Sequence, residues 1–589
     1  MHGIQFSNLP NTNQANLSKF QFYLLNQIEL LESEWENFLN PSLSSIPSPF
    51  DLPDMEVSIN LIEDSLIQKK QILLYGDRDT DGVTATSLLA IYLRRRAKET
   101  GANIIAMTSS ANDDYGLCDT VQKKISNIKP DLLITLDFGT SNFHEINSLA
   151  DQGIKVIVLD HHEIPTKIPK CCLINPKRLD SEFGEKKICT AVLSLLLILA
   201  LESKKNYFQK KEELSGSLFS KIEFGNFLQE NETLFSLYKS LLDISSIGTI
   251  TDMMPLVGFN RVVVKHGLSV ISESLSKQKE DRLGFHFLLK DLGLNPEKIL
   301  SKDIGWSIGP VLNAAGRMGR TETALGLLLS EKEAEAINYS KEIQKLNSER
   351  RERTKRNLFK VEEYFKRDKT REDKKIIFCY EPDLEPGVSG IVATKLVEKY
   401  KKPVIFITPD NGKARGSIRS YGKENVLHLL EQVSDLLEHF GGHPEAGGFS
   451  IVISKIPILE SVLEEKAGIW LGEGSKTKDF RSIVSFLPEE ISDKLYSDLK
   501  IFEPFGQGNP VPILSIMDAE IQNFKPMGDG THARFQIKGN SKLPFLIWGK
   551  AKEIYLLSSK QNKIQLFGNL EENFFRGNTT IQFLVTNFY

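Results

Sequence analysis

With 589 residues the chain is too long for a single hydrophobic core, and about 150 residues per domain points to three or four units. Hydrophobic residues at 40% and charged residues at 25% exclude a disordered, collagen-like or membrane-embedded protein. Seventy-three Lys plus Arg against 77 Asp plus Glu leave a net charge of −4, so affinity for nucleic acid would need local basic clusters rather than a global positive field.

The N-terminus, MHGIQFSNLPNTNQ, lacks the basic start and apolar run of an export signal, and residues 1–55 read as a polar extension ending in NPSLSSIPSPFDLP. Three short apolar runs follow, each ended by an aspartate: QILLYGD at Asp77, DLLITLD at Asp137 and KVIVLD at Asp160. Runs of this length suit strands buried on both faces, and the helix-like TATSLLAIYLRRR after the first predicts βα units in a parallel sheet. Ligands of such sheets gather beyond the carboxyl ends of the strands, where all three aspartates would lie. The longest apolar run, Ala191 to Leu201, falls short of the roughly 18 residues of a membrane span and reads as a buried helix. A further run, LLDISSIGTITDMMPL, reaches Asp252 and is read as a fourth sheet position.

From about Asn260 to Lys360 the pattern is helical, and Lys341 to Lys360 carries eight basic and three acidic residues, a charged and exposed helix. A second α/β unit runs from KKIIFCYEPD to about Gly472, with KPVIFIT as a buried strand and Gly-rich turns expected at ARGSIRS and GGHPEAGG. Beyond about Thr477, HARFQIKG, LPFLIWGK, NKIQLFGNL and TTIQFLVTNF predict a small all-β barrel or sandwich. The five cysteines (Cys118, Cys171, Cys172, Cys189 and Cys379) show no CxxC pair and read as free thiols in a reducing cytoplasm.

Asp77-Arg78-Asp79-Thr80-Asp81-Gly82 sets three carboxylates at alternate positions, which would face one way in an extended segment and form a divalent-cation site. An EF-hand opens with the same letters, but Leu88 stands where its bidentate Glu is required, and a strand-like run precedes the loop. A solvated acidic turn is the other reading. Against it stand Asp137, Asp160 followed by the adjacent pair His161-His162, and Asp252, too many strand-end acids for helix capping alone. Hard oxygen donors with one or two imidazoles suit Mn²⁺ or Mg²⁺. Two such ions activating water and neutralising a phosphoryl transition state make phosphoester hydrolysis the expected chemistry.

In order, GDRDTDG, TLDFGTS, LDHHE and GTITDMMPL resemble the four metal motifs of the DHH superfamily of phosphoesterases. GPVLNAAGRMG, GVSGIVATKL, GSIRS, GGHPEAGGF and EPFGQGNP narrow the resemblance to its bacterial single-strand-specific 5′-to-3′ exonucleases, over about residues 55–589. That resemblance implies a multidomain α/β protein: a parallel-sheet DHH catalytic domain (56–290), a helical linker with a long helix (291–370), a DHHA1 α/β domain (371–472) and an OB-fold-like β-barrel (473–589). It implies that Asp79 and Asp81 bind separate ions bridged by Asp137, and that His161 and Asp252 complete the second site. Asp77 would support the first site directly or through water, Asp160 would orient the histidines, and His162 would contact the scissile phosphate.

The strand-binding residues so implied are Arg317, Ser417, Arg419, Gly441, Gly442 and His443. Phe535, Phe545 and Trp548 are either base-stacking or core residues. Arg78, Val311, Glu385 and Gly447 depart from the family pattern, where an aromatic, an arginine, a histidine and an alanine are usual; no expected metal ligand is lost. The resemblance predicts a two-metal exonuclease that hydrolyses single-stranded DNA to 5′-mononucleotides in cytoplasmic DNA repair and recombination, served by a helicase and a single-strand-binding protein. A phosphoesterase for short oligonucleotides or small phosphate esters, and an inactive single-strand-binding scaffold, are the alternatives.

Overall fold

The computed structural model describes residues 4–9, 17–109, 116–214, 223–276, 282–295, 297–410, 412–422, 425–470, 483–575 and 578–589. Ser18 and Gln21 cap helix α1 (Lys19–Leu25) reciprocally. Phe20, Tyr23, Leu24 and Leu25 of α1 pack into the core of the C-terminal sheet, and Ile4–Gln5 pairs with Val484–Ser485, so the two ends of the chain fold together.

Helix α2 (Met55–Ile67) leads into a parallel sheet built from β1 (Gln71–Gly76), β2 (Asn103–Thr108), β3 (Leu132–Leu136), β4 (Lys155–Leu159) and β5 (Cys172–Ile174). Helix α3 (Thr80–Thr100) connects the first two strands, and the order is β2-β1-β3-β4-β5. Alternate side chains enter two cores, one on each face: Ile72, Leu74, Ile134 and Ile157 on one, and Leu73, Tyr75, Leu133 and Val158 on the other. The first face is covered by α4 (Thr190–Leu214), whose Ala191–Leu201 stretch is buried as its composition predicts. The order reverses between β1 and β3, so the chain leaves both strands at a topological switch point, the place where doubly wound sheets bind ligands. Asp77 and Asp137 are the residues that follow those two strands.

Asp252 does not end a strand. It is the C-cap of the 20-residue helix α5 (Glu232–Thr251). Leu241, Ile244, Ile247, Ser245, Gly248 and Thr249 are buried around its circumference, and a helix enclosed on all sides shows the same unbroken apolar and small-residue run as a central strand. Its Ser245 and Thr249 hydroxyls donate to carbonyls one turn back, so their burial leaves no donor unpaired.

Helix α6 (Gly258–Ser276) follows. Further on, a π-helical turn at Ile304–Ile308 runs into α7 (Gly309–Arg317), and the 35-residue helix α8 (Glu333–Arg367), about 50 Å long, reaches the second α/β unit. That unit has β6 (Ile377–Tyr380), α9 (Ser389–Tyr400), β7 (Val404–Asp410), β8 (Lys413–Arg419), β9 (Leu437–His443) and β10 (Ala446–Val452), with sheet order β9-β10-β8-β7-β6. The glycine-rich segments expected as turns are strands: GSIR lies in β8, and GGH and AGG pair across the β9–β10 hairpin. Gly416 fits there because the Phe449 ring covers its Cα, leaving no room for a Cβ.

The C-terminal unit contains β11 (Val484–Phe486), β12 (Leu514–Ala519), β13 (Ile521–Met527), β14 (His532–Ile537), β15 (Asn540–Ile547), β16 (Ile564–Phe575) and β17 (Asn578–Phe588). Together with Ile4–Gln5 they form one eight-stranded sheet, ordered β11-β12-β16-β17-β15-β14-β13 after that first short strand, with OB-like strands and no ring closure by pairing among the described residues. Phe535 and Phe545 are buried core aromatics stacked at 5.7 Å, whereas Trp548 is 54% exposed. The expected boundary at residues 472–473 lies outside the described residues.

Candidate metal centre and its basic rim

The Asp77–Asp81 loop is not extended. β1 stops at Gly76, Asp79 takes the N-cap of α3 by accepting from the Gly82 N–H, and Asp81 already lies in the helix's first turn. The three carboxylates therefore fan into two groups. Asp77, Asp79 and Asp137 bring ligand atoms within 4.8 Å of one another, and so do Asp81, His161 and Asp252. The loop is held from outside by α7: Asn313 Oδ1 accepts from the Thr80 N–H at 3.0 Å.

Asp137 stands between the groups. Its φ is +70°, and its Oδ1 accepts from the Thr190 hydroxyl at 3.0 Å and lies 3.4 Å from His161 Nδ1. Thr190 went unnoticed in the sequence; its one local signal is its place at the start of the apolar α4 run. Asp81 accepts from the Thr190 and Ala191 N–H groups at 2.7 and 3.0 Å, with one oxygen on each, so it caps α4 and keeps further lone pairs for a cation. His161 reaches Asp252 Oδ2 through Nε2 at 3.1 Å.

Asp160 is differently occupied. Its Oδ1 accepts from the His161 and His162 N–H groups and from His162 Nδ1 at 2.7 Å, and its Oδ2 accepts from the Thr140 N–H. Burial alone would raise its pKa, but the His162 bond and charge outweigh it and hold the carboxyl well below the usual range. Asp160 is thus an anionic clamp that fixes His162 with its Nδ1 proton turned inward.

Burial is the largest influence on Asp79, Asp81 and Asp137, and like charges add to it. It pushes Asp79 up to about 7, helped by Asp77, Asp252 and Asp81. Asp81 and Asp137 are also raised, by burial and by their acidic neighbours. Burial opposes charge on His161, yet the Asp252 hydrogen bond and the surrounding carboxylates push it up to about 9. Among the described residues no Lys or Arg lies within ion-pair distance of Asp77, Asp79, Asp81, Asp137 or Asp252. Five carboxylates and an imidazole crowded together, with no Lys or Arg in ion-pair contact among the described residues, form a donor set that fits two hard divalent ions of the Mn²⁺ or Mg²⁺ type.

The second α/β unit closes over this centre. The His443 ring stacks on His162 with centroids 5.6 Å apart, which places the end of β9, with Gly441 and Gly442, over the histidine pair. Gly387, at φ +87°, packs its Cα against the Arg317 carbonyl, where any side chain would collide. Gly390 makes room for the Arg419 guanidinium. Ser417 and Arg419 flank the buried Ile418, so both face the same side of β8. Burial, followed by the like charges of Arg350 and Arg419, lowers Arg317 to about 10; Arg419 and Arg350 are lowered chiefly by burial. Arg350, hidden in the charge run of α8, joins this rim, and its buried Nε has no hydrogen-bond partner among the described residues.

The departures from the family pattern find places. Val311 is buried in the core between α7 and its neighbours and carries no charge to the rim. Glu385 takes a two-pronged bond from Arg356 at 2.7 and 2.9 Å and lies 3.4 Å from Arg353, tying the second unit to α8. Gly447 lies against Ile418 and Leu430, where an added methyl would be tight.

Three family models match in chain order: the DHH family N-terminal domain at residues 71–220, the DHHA1 domain at 373–468 and the RecJ OB domain at 484–587. The single-stranded-DNA-specific exonuclease RecJ of Haemophilus influenzae is 28% identical over 568 residues, covering 93% of this chain and 92% of its own. The RecJ of Bacillus subtilis is 28% identical over 512 residues, or 86% of this chain, which spans only 59% of that relative's length. The crystal structure of RecJ with Mn²⁺ from Thermus thermophilus superposes with a TM-score of 0.72 at 26% identity, covering 94% of this chain and 74% of that one. Fold and site define a multidomain α/β protein of the DHH class with a DHHA1 domain. Its third domain and its relatives narrow the class: the chain carries a RecJ OB domain and is similar over most of its length to the RecJ proteins.

Proposed function

We propose that the chain is a metal-dependent exonuclease that hydrolyses single-stranded DNA from the 5′ end to 5′-mononucleotides. The observation that carries this reading is the pair of adjacent ligand groups, Asp77–Asp79–Asp137 and Asp81–His161–Asp252, with Asp137 3.4 Å from His161, beneath a rim of half-buried arginines. In it, Asp79 with Asp77 would hold one divalent ion and Asp81 with His161 and Asp252 the other, with Asp137 placed to contribute to both. Bound there, the ions supply acidified water and charge neutralisation for an in-line phosphodiester displacement. His162, fixed by Asp160 and covered by His443, faces the scissile phosphate, while Arg317, Arg350, Arg419 and Ser417 hold strand phosphates, with Gly441 and Gly442 admitting backbone closely. Phosphate contacts carry no sequence information, so in this reading discrimination against duplex is steric rather than by base readout. The substrate must already be unpaired, so a helicase and a single-strand-binding protein are the natural suppliers, in cytoplasmic repair and recombination. Among the described residues no helix is long and apolar enough to cross a membrane.

Purified protein given Mn²⁺ or Mg²⁺ is expected to release labelled mononucleotides from the 5′ end of a long single strand, to leave blunt duplex intact and to stop on chelation. Duplex digested as fast as single strand would refute the reading. A second expected result concerns the rim. Arg419→Ala lowers kcat/KM on single strands by about 10- to 100-fold and reduces the slope of log affinity against log salt by about one, as loss of a single phosphate contact requires. An unchanged slope would remove Arg419 from the strand path.

A further inference from the structure

The rim of the metal centre has an apolar side that the proposed roles leave unused. Trp306 is 82% exposed at the middle of the π-helical turn Ile304–Ile308, whose two end residues are fully buried. The buried isoleucines fix the turn while its extra residue swings the indole outward; π turns of this kind are frequent at functional sites. The turn sits on the last turn of α5: Gly309 packs against Thr251, and Gly305 approaches Ile250. The next residue along α5 is Asp252, whose side chain is 24% exposed against 0% for Asp81, so the Asp81–His161–Asp252 group opens on this side, as the other group does at the exposed Asp79. Met253, 66% exposed at φ +56°, follows on the same edge. From the π turn, α7 runs about 12 Å to Arg317, so the indole and the arginine rim lie at opposite ends of one short helix beside the Asp77–Asp81 loop.

We propose that Trp306 is a stacking platform for one nucleobase of the substrate strand, seated beside Asp252 and setting the register of the scissile phosphate while the arginines hold the backbone. This rests on the reading of the centre as a single-strand exonuclease. A nuclease that removes every nucleotide in turn needs a contact blind to base identity, and every base has a π face to offer. The cationic, phosphate-directed rim lies one short helix away, within the span of a few nucleotides, which favours an anionic strand over an apolar peptide as the occupant.

The test uses the full chain with Mn²⁺ and 5′-labelled single strands in which one abasic nucleotide is walked inward from the 5′ end. Trp306→Ala is expected to raise KM about tenfold or more on the normal strand, and Trp306→Phe to restore most of it. In the wild type one abasic position near the 5′ end should cost a similar factor, and at that position Trp306→Ala should cost nothing further. A wild-type KM for Trp306→Ala, or a penalty of equal size at every abasic position, overturns the platform. A wild type that fails to cut single strands at all refutes instead the nuclease reading beneath it.

Discussion

Asp137→Asn is expected to lower activity on single-stranded DNA on the order of 10³-fold or more while raising the melting temperature of the metal-free protein. The two effects share one cause. Asp137 lies within reach of Asp77, Asp79, Asp81 and Asp252, all of which oppose its ionisation, so without cations the carboxylate is a net cost to folding. Replacing it by the neutral amide relieves that cost and removes the negative charge that lies between the two ligand groups. Asparagine is also the least disruptive substitute for the backbone, since it tolerates the φ of +70° found here better than most residues. Its carbonyl oxygen can still accept from the Thr190 hydroxyl. Melting curves with and without Mn²⁺ separate the contributions: the ion should stabilise the wild type markedly and the variant little. Full activity in the variant, or a metal-free melting point below that of wild type, would contradict this account of the centre.

What the amino-acid sequence discloses about this centre follows from how each part is buried. Asp77, Asp137 and Asp160 are legible because β1, β3 and β4 are covered on both faces and read as unbroken apolar runs that stop where the site begins. The same criterion misplaces Asp252, because α5 is enclosed on every side and loses the period that would mark it as a helix. The alternating acids of the first motif suggest a strand, yet Asp79 prefers the exposed N–H groups of a starting helix, and that capping rotates Asp81 towards α4. Thr190 and Arg350 act through contacts made at a distance in the chain, and Gly387 and Gly390 through the space they leave for Arg317 and Arg419. No local pattern announces such pairings. The segment EPFGQGNP was recognisable only by its resemblance, and its physical purpose appears once its partner is identified.

That partner is Arg261, and Arg261→Met is expected to destabilise the protein by about 3–5 kcal/mol and to split its unfolding into two transitions. Arg261 is fully buried in α6, with no carboxylate among its hydrogen-bond partners in the described residues. Its guanidinium donates to the carbonyls of Phe38, Pro504, Phe502 and Glu503, approaches that of Ile501, and lies over the Phe38 ring. These acceptors are 223 to 243 residues away in the chain, so one side chain joins the N-terminal segment, the catalytic unit and the approach to the C-terminal sheet. Burial lowers its pKa to about 9, and the cost of keeping the charge inside is met by carbonyl dipoles and the ring. Methionine fills a similar volume but leaves those carbonyls without this donor. Lysine, with three donors and no planar fork, should recover only part of the loss. The effect should reach the chemistry as well. The Gln507 carbonyl accepts from the Leu256 N–H at 2.7 Å, bracing the short loop between Asp252 and α6, so the variant should need more Mn²⁺ for half-maximal activity. A single transition at the wild-type temperature would show that the domains are held together by other contacts.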